Sequence, residues 1–149
     1  MTKLILLVED NVSDEKLALL ALKRCGVPCE IAVARDGAEA LDYLFATGAH
    51  AGRDPMAQPA VILLDLKLPR VGGLEVLRRI RAAPETRSLP VVILTASRED
   101  EDLARAYALG ANAYLRKPVD FAEFAEATKA LAAFWLRFNE PAPVRAGQG

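Results

Sequence analysis

The stretch VILLDLKLPR, Val61 to Arg70, decides how the chain is read, because a carboxylate follows directly on four apolar residues. An ionised Asp65 buried within such a run would cost several kcal/mol or would take up a proton instead. The run is therefore read as a buried strand that ends at Leu64. Asp65 then stands just past the useful apolar length, at an edge where a charge can do something.

Outward from that strand, short apolar runs alternate with segments of helical period. Leu4–Val8, Glu30–Ala34, Val91–Leu94 and Ala113–Leu115 read as the other strands. Ser13–Cys25, Gly37–Thr47, Gly73–Ala82, Glu99–Leu109 and Asp120–Asn139 read as helices. Ser13 is the expected N-cap of the first, with Leu17, Leu20 and Ala21 as its apolar face. Pro84 ends the third helical pattern and Gly110 closes the fourth. Five β–α units in succession, with strands apolar on both faces, predict an α/β domain with a doubly wound, five-stranded parallel sheet. A closed barrel would need roughly 250 residues, and the chain has 149.

Composition narrows the function classes. A hydrophobic content of 52% excludes a disordered chain, and 19 Lys plus Arg against 20 Asp plus Glu leaves no basic excess for nucleic acid. No apolar run approaches the ~18 residues of a membrane span, and Leu4–Val8 is too short for a signal sequence. The expectation is a soluble, cytoplasmic domain over residues 1–139, with 140–149 as a mobile tail. Cys25 and Cys29 are one residue too far apart for a C-x-x-C redox motif and read as ordinary thiols near a turn. His50, the single histidine, lies in the polar loop Gly48–Pro59 and is expected to be exposed, without companions for a metal site.

In open α/β sheets ligands bind at the carboxyl ends of the strands. Strand one ends in Glu9-Asp10, strand three in Asp65 and strand four in Thr95, and strand five is followed by Lys117-Pro118. Carboxylates converging on one crevice repel unless a hard cation such as Mg2+ or Mn2+ sits among them. A metal, an ammonium and a hydroxyl together can stabilise a phosphoryl group on an oxygen nucleophile, and an aspartate can be that nucleophile. Singly, each of these residues is more often a cap, a loop anchor or a surface lysine. One per strand end, in this order, they point to aspartyl-phosphate chemistry.

The pieces VEDN (Val8–Asn11), LLDLKLPRVGG (Leu63–Gly73), VVILTAS (Val91–Ser97) and AYLRKP (Ala113–Pro118) resemble the response-regulator receiver family of two-component signalling. That resemblance implies a flavodoxin-like fold with strand order 2-1-3-4-5 and a phosphoacceptor without a separate output enzyme. It implies that Asp65 accepts the phosphoryl group. Asp10, Asp65 and the backbone carbonyl of Lys67 would then bind magnesium or manganese directly, and Glu9 indirectly. Thr95 and Lys117 would contact the phosphoryl oxygens, Thr95 and Tyr114 would form a switch pair, and the Lys117–Pro118 bond would be cis. Lys67 and Ser97, two positions beyond Asp65 and Thr95, would border the water path.

The loop Gly48–Pro59, LDLKLPRVGGLEVL and the ending FAEFAEATKALAAFWLRFNEP are similar to stand-alone regulators that partner bacterial phytochrome histidine kinases. This implies a sensor histidine kinase as partner and a homodimer on the fourth helix, fifth strand and fifth helix. Trp135 and Phe138 are the candidate interface aromatics.

Rival readings fare less well on the residues. A dehalogenase-type phosphatase would want a second Asp two beyond Asp65, where Lys67 stands. A flavin-binding domain would want a glycine-rich phosphate loop, where EDNVSD is anionic. A degenerate receiver acting only as a scaffold would lack a site position, and none is missing.

Overall fold

The computed structural model describes residues 2–143; the last part of the expected tail, 144–149, lies outside the described residues. The strands are β1 (Lys3–Val8), β2 (Cys29–Ala34), β3 (Val61–Leu64), β4 (Val91–Thr95) and β5 (Ala113–Arg116). The helices are α1 (Val12–Lys23), α2 (Gly37–Phe45), α3 (Gly73–Ala82), α4 (Asp100–Ala108) and α5 (Phe121–Ala133). All strand pairs are parallel, in the order β2-β1-β3-β4-β5. The doubly wound fold and its strand order are as expected.

Period-two alternation splits the core between the two faces of the sheet. Leu6, Val8, Ile62, Leu64 and Ile93 face α2, α3 and α4, meeting Leu44, Leu77, Ile80 and Ala106. Ile5, Leu7, Leu63, Val92 and Leu94 face α1 and α5, meeting Ala18, Leu22 and Phe124. The chain leaves β1 toward β2 on one side and returns to β3 on the other. The crevice between the ends of β1 and β3 is the topological switch point.

Local details depart from expectation at identifiable places. Asn11, not Ser13, caps α1, its Oδ1 accepting from the Asp14 amide at 3.0 Å. Leu17 and Leu20 are each 38% exposed, while Ala18, Ala21, Leu22 and the Glu15 carboxylate are buried. Glu15 is held there by a two-pronged pair with Arg35 at 2.9 and 3.1 Å. His50 is not free in solvent: it packs edge-on against Tyr43, 5.2 Å between ring centres, and lies 3.4 Å from a Glu39 oxygen. After Ala133 the last helix widens into a π-helical turn, Phe134–Phe138, closed by the Asn139 amide on the Phe134 carbonyl at 2.7 Å.

At the end of the sheet away from the switch point, one side chain ties several segments together. The Arg81 guanidinium donates to the carbonyls of Gly110, Arg87 and Leu89 and to Asn112 Oδ1. Asn112 Oδ1 also accepts from the Val91 amide at 2.8 Å. The starts of β4 and β5 and the turn after α4 are thus fastened to α3. Gly110 makes this approach possible, with φ +101° and only 2.9 Å between a built Cβ and Arg81 Nε.

Candidate functional site

Register carries each candidate side chain to the switch point. Val8 pairs with Leu64 across β1 and β3, so Glu9 and Asp65 leave adjacent strands at the same level. The Asp65 amide donates to the Val8 carbonyl at 3.1 Å, and the Glu9 amide to Ala34 at 3.0 Å. These bonds carry the ladder one residue past the strands and fix where both carboxylates start. The next turn presses against the same backbone: a Cβ on Gly73 would lie 2.2 Å from the Asp65 carbonyl oxygen. Only glycine lets α3 begin so close to the residue that carries the candidate nucleophile.

Glu9, Asp10 and Asp65 converge, with one oxygen of each within 4.8 Å of the others. Glu9 and Asp65 are buried and Asp10 is exposed, so the cluster opens outward through Asp10. Lys117 enters from the loop after β5, its amide donating to the Thr95 carbonyl at 2.7 Å. Its ammonium lies 2.5 Å from Glu9 Oε1, 2.8 Å from Asp14 Oδ2 and 3.1 Å from Asp65 Oδ2.

Three carboxylates therefore meet one ammonium, and Asp10 adds a fourth to the acidic cluster. Burial pushes Glu9 up to about 7, with the neighbouring Asp65 charge adding to the rise and the Lys117 hydrogen bond opposing it. Lys117 moves the other way. Burial disfavours its charge, but hydrogen bonds to Asp14 and Glu9 and the charge of Asp65 outweigh it and hold the ammonium more firmly protonated than usual. The pocket keeps negative charge that the lysine alone does not balance. An all-oxygen donor set with excess negative charge suits a hard divalent cation.

Thr95 is the last residue of β4 and fully buried, its hydroxyl oxygen accepting from the Ser97 amide at 3.3 Å. The Lys67 amide donates to Asp65 Oδ1 at 3.3 Å, so this residue follows the acceptor closely. Tyr114 is half-buried on β5, and its hydroxyl is buried without a hydrogen-bond partner. The Lys117–Pro118 bond is not cis: no cis peptide occurs among the described residues. Trans is the intrinsically preferred form even before proline, by about 0.5–1 kcal/mol.

Phe138, at 70%, and Phe134, at 50%, are exposed, whereas Trp135 is half-buried and packs edge-on against Phe134. Two residues of the site escaped the reading of the sequence. Asp14 and Asp102 both sit in the first turn of a helix, where acidic residues are expected for the helix dipole alone. Asp14 joins the site through its carboxylate on the Lys117 ammonium, a contact between α1 and the loop after β5 that no local pattern announces.

Residues 5–129 match the response regulator receiver domain model. The chain belongs to this family. It is 42% identical over 141 residues to the probable methanogenesis regulatory protein FilR2 of Methanothrix harundinacea, covering 94% of this chain and 88% of that one. The crystal structure of the phosphorylated cyanobacterial phytochrome response regulator RcpA superposes with TM-score 0.89 at 36% identity, covering 96% and 100% of the two chains. The Mn2+-bound response regulator Rcp1 gives 0.87 at 34% identity, over 95% and 99%. The bacteriophytochrome response regulator AtBRR is 52% identical, with TM-score 0.75 over 94% and 99%. As a receiver domain, the chain works in phosphorylation-based signalling. No helix of the described residues is long and apolar enough to cross a membrane.

Proposed function

We propose that this chain is a single-domain, cytoplasmic response regulator whose receiver unit spans residues 1–139 and that Asp65 accepts a phosphoryl group from a sensor histidine kinase. The observation that carries the reading is the Lys117 ammonium, within hydrogen-bonding distance of Glu9 and Asp65 on the buried side of the acidic cluster. An Asp65 oxygen attacks the phosphorus of a phosphohistidine in line. The P–O bond forms as the P–N bond breaks, and the electron pair stays on the imidazole nitrogen. Lys117 neutralises charge on the incoming phosphoryl oxygens, and the Thr95 hydroxyl donates to one of them.

Asp10, Asp65 and the Lys67 carbonyl would hold magnesium or manganese, with Glu9 as an indirect ligand, and the cation would neutralise charge on the transferring group. Water later attacks the phosphorus, the P–O bond to Asp65 breaks, and inorganic phosphate leaves. In full-length protein incubated with a labelled small phosphodonor and Mg2+, Asp65→Asn is expected to abolish base- and hydroxylamine-labile labelling. Persistent labelling of that variant would sink the assignment.

Output is assigned to protein contacts on the face of α4, β5 and α5, with Thr95 and Tyr114 as the switch that reports phosphorylation to it. An apolar groove of about 460 Å³ on the β5–α5 part of this face, lined by Tyr114, Leu131, Phe134 and Trp135 among others, supports a homodimer there, and the exposed Phe138 ends the same π-helical turn. A monomer mass by sedimentation equilibrium at micromolar concentration, with and without phosphodonor, would count against that dimer. The likeness to phytochrome regulators supports a bacterial phytochrome kinase as donor; phosphotransfer profiling against such kinases tests it.

A further inference from the structure

The sequence positions two beyond Asp65 and two beyond Thr95 are joined by a third residue that lies on neither loop. Asp102, in the first turn of α4, is buried, and its Oδ2 accepts from the Ser97 hydroxyl at 2.6 Å. The same oxygen lies 3.3 Å from the Lys67 ammonium. Both partners are also tied to the reacting groups through their amides, Lys67 to Asp65 Oδ1 and Ser97 to Thr95 Oγ1, each at 3.3 Å. The result is a chain of contacts running Asp65, Lys67, Asp102, Ser97, Thr95.

This chain of contacts constrains a side chain that would otherwise be loose. The Lys67 side chain is 65% exposed and that of Asp102 only 12%. A long, solvated stem thus runs from the loop after β3 to the first turn of α4, where its end is pinned.

We propose that Asp102 is a positioning residue for the phosphoryl site, holding Lys67 across the approach to Asp65 and thereby lengthening the life of the acyl phosphate. The proposal rests on the reading of Asp65 as phosphoacceptor. Helix-dipole stabilisation by a first-turn acid is the competing account of Asp102. It would make no use of Lys67 or Ser97.

The full chain is labelled with acetyl phosphate and Mg2+, the donor is removed, and loss of label is followed with time. D102N is expected to speed the loss about three-fold, the size of effect that an ion pair with one exposed partner can impose. D102E is expected to restore the wild-type rate. K67A, which leaves α4 untouched, is expected to match D102N, and adding D102N to K67A is expected to change nothing further. Unchanged lifetime in K67A overturns the proposal, as does a D102N effect that persists in full in the K67A background. If wild type labels normally and these variants decay at its rate, only this inference fails. If wild type does not label at all, the phosphoacceptor reading fails and takes this one with it.

Discussion

Lys117 and Lys67 are the same residue type at two ends of one strand-edge crevice, and their surroundings give them different work. The Lys117 side chain is 10% exposed and its ammonium touches three carboxylates, one just past β1, one on α1 and one just past β3. The Lys67 side chain is 65% exposed and its ammonium touches one. A desolvated ammonium among several acids holds together groups that repel each other, whereas a solvated one contributes little energy and acts by where it lies. The difference separates what assembles the site from what tunes it.

The strongest way to break that contrast is to remove Lys117. Lys117→Met is expected to cost roughly 3 kcal/mol in metal-free buffer, because Glu9, Asp14 and Asp65 lose their shared cation. Urea unfolding measures it, and a loss below ~1 kcal/mol would place Lys117 with the exposed pairs.

The next effect concerns pH. Glu9 has its pKa raised from 4.5 to about 7, so between those values the folded chain binds more protons than the unfolded one. Stability without metal should therefore fall as pH rises through that window. The raised Lys117 contributes stability that is present below its unfolded pKa of 10.5 and lost only as pH passes its folded pKa, outside the window. Added Mg2+ should accordingly raise the melting temperature more at pH 8 than at pH 5. Equal gains at both values would contradict the charge balance argued for the cluster. Smallest of all, Lys67→Ala should shift stability by under ~1 kcal/mol. A larger cost in urea unfolding would erase the distinction between the two lysines.

Much of this was legible in the residues, and the failures share a cause. Strands showed themselves as short apolar runs, and their polar ends followed once the sheet was parallel, so Glu9, Asp10, Asp65, Thr95 and Lys117 could be placed together without coordinates. Rotation about a helix axis was harder. In VSDEKLALLALK apolar residues occur nearly all round, so the pattern does not choose between the Leu17/Leu20 face and the Ala18/Leu22 face. Packing of α1 against α5 and the anchoring of Glu15 by Arg35 make that choice, and both are tertiary. Asp14 and Asp102 were missed for a related reason. An acidic residue in a first turn has a sufficient local explanation, and only the neighbouring loops reveal a second one. His50 was misjudged because its partner Tyr43 belongs to the helix before it.

The Arg81 fastening has a mechanical side. It clamps β4 and β5 at their beginnings, whereas Thr95 ends β4 and Lys117 lies just past the end of β5. A segment gripped at one end and pushed at the other behaves as a lever on a pivot. Small displacements of the Thr95 hydroxyl would then become tilts of α4 and β5 about the Arg81 end, largest at the rim where another protein could sense them. In that picture Arg81, remote from the chemistry, sets how stiffly the lever is mounted.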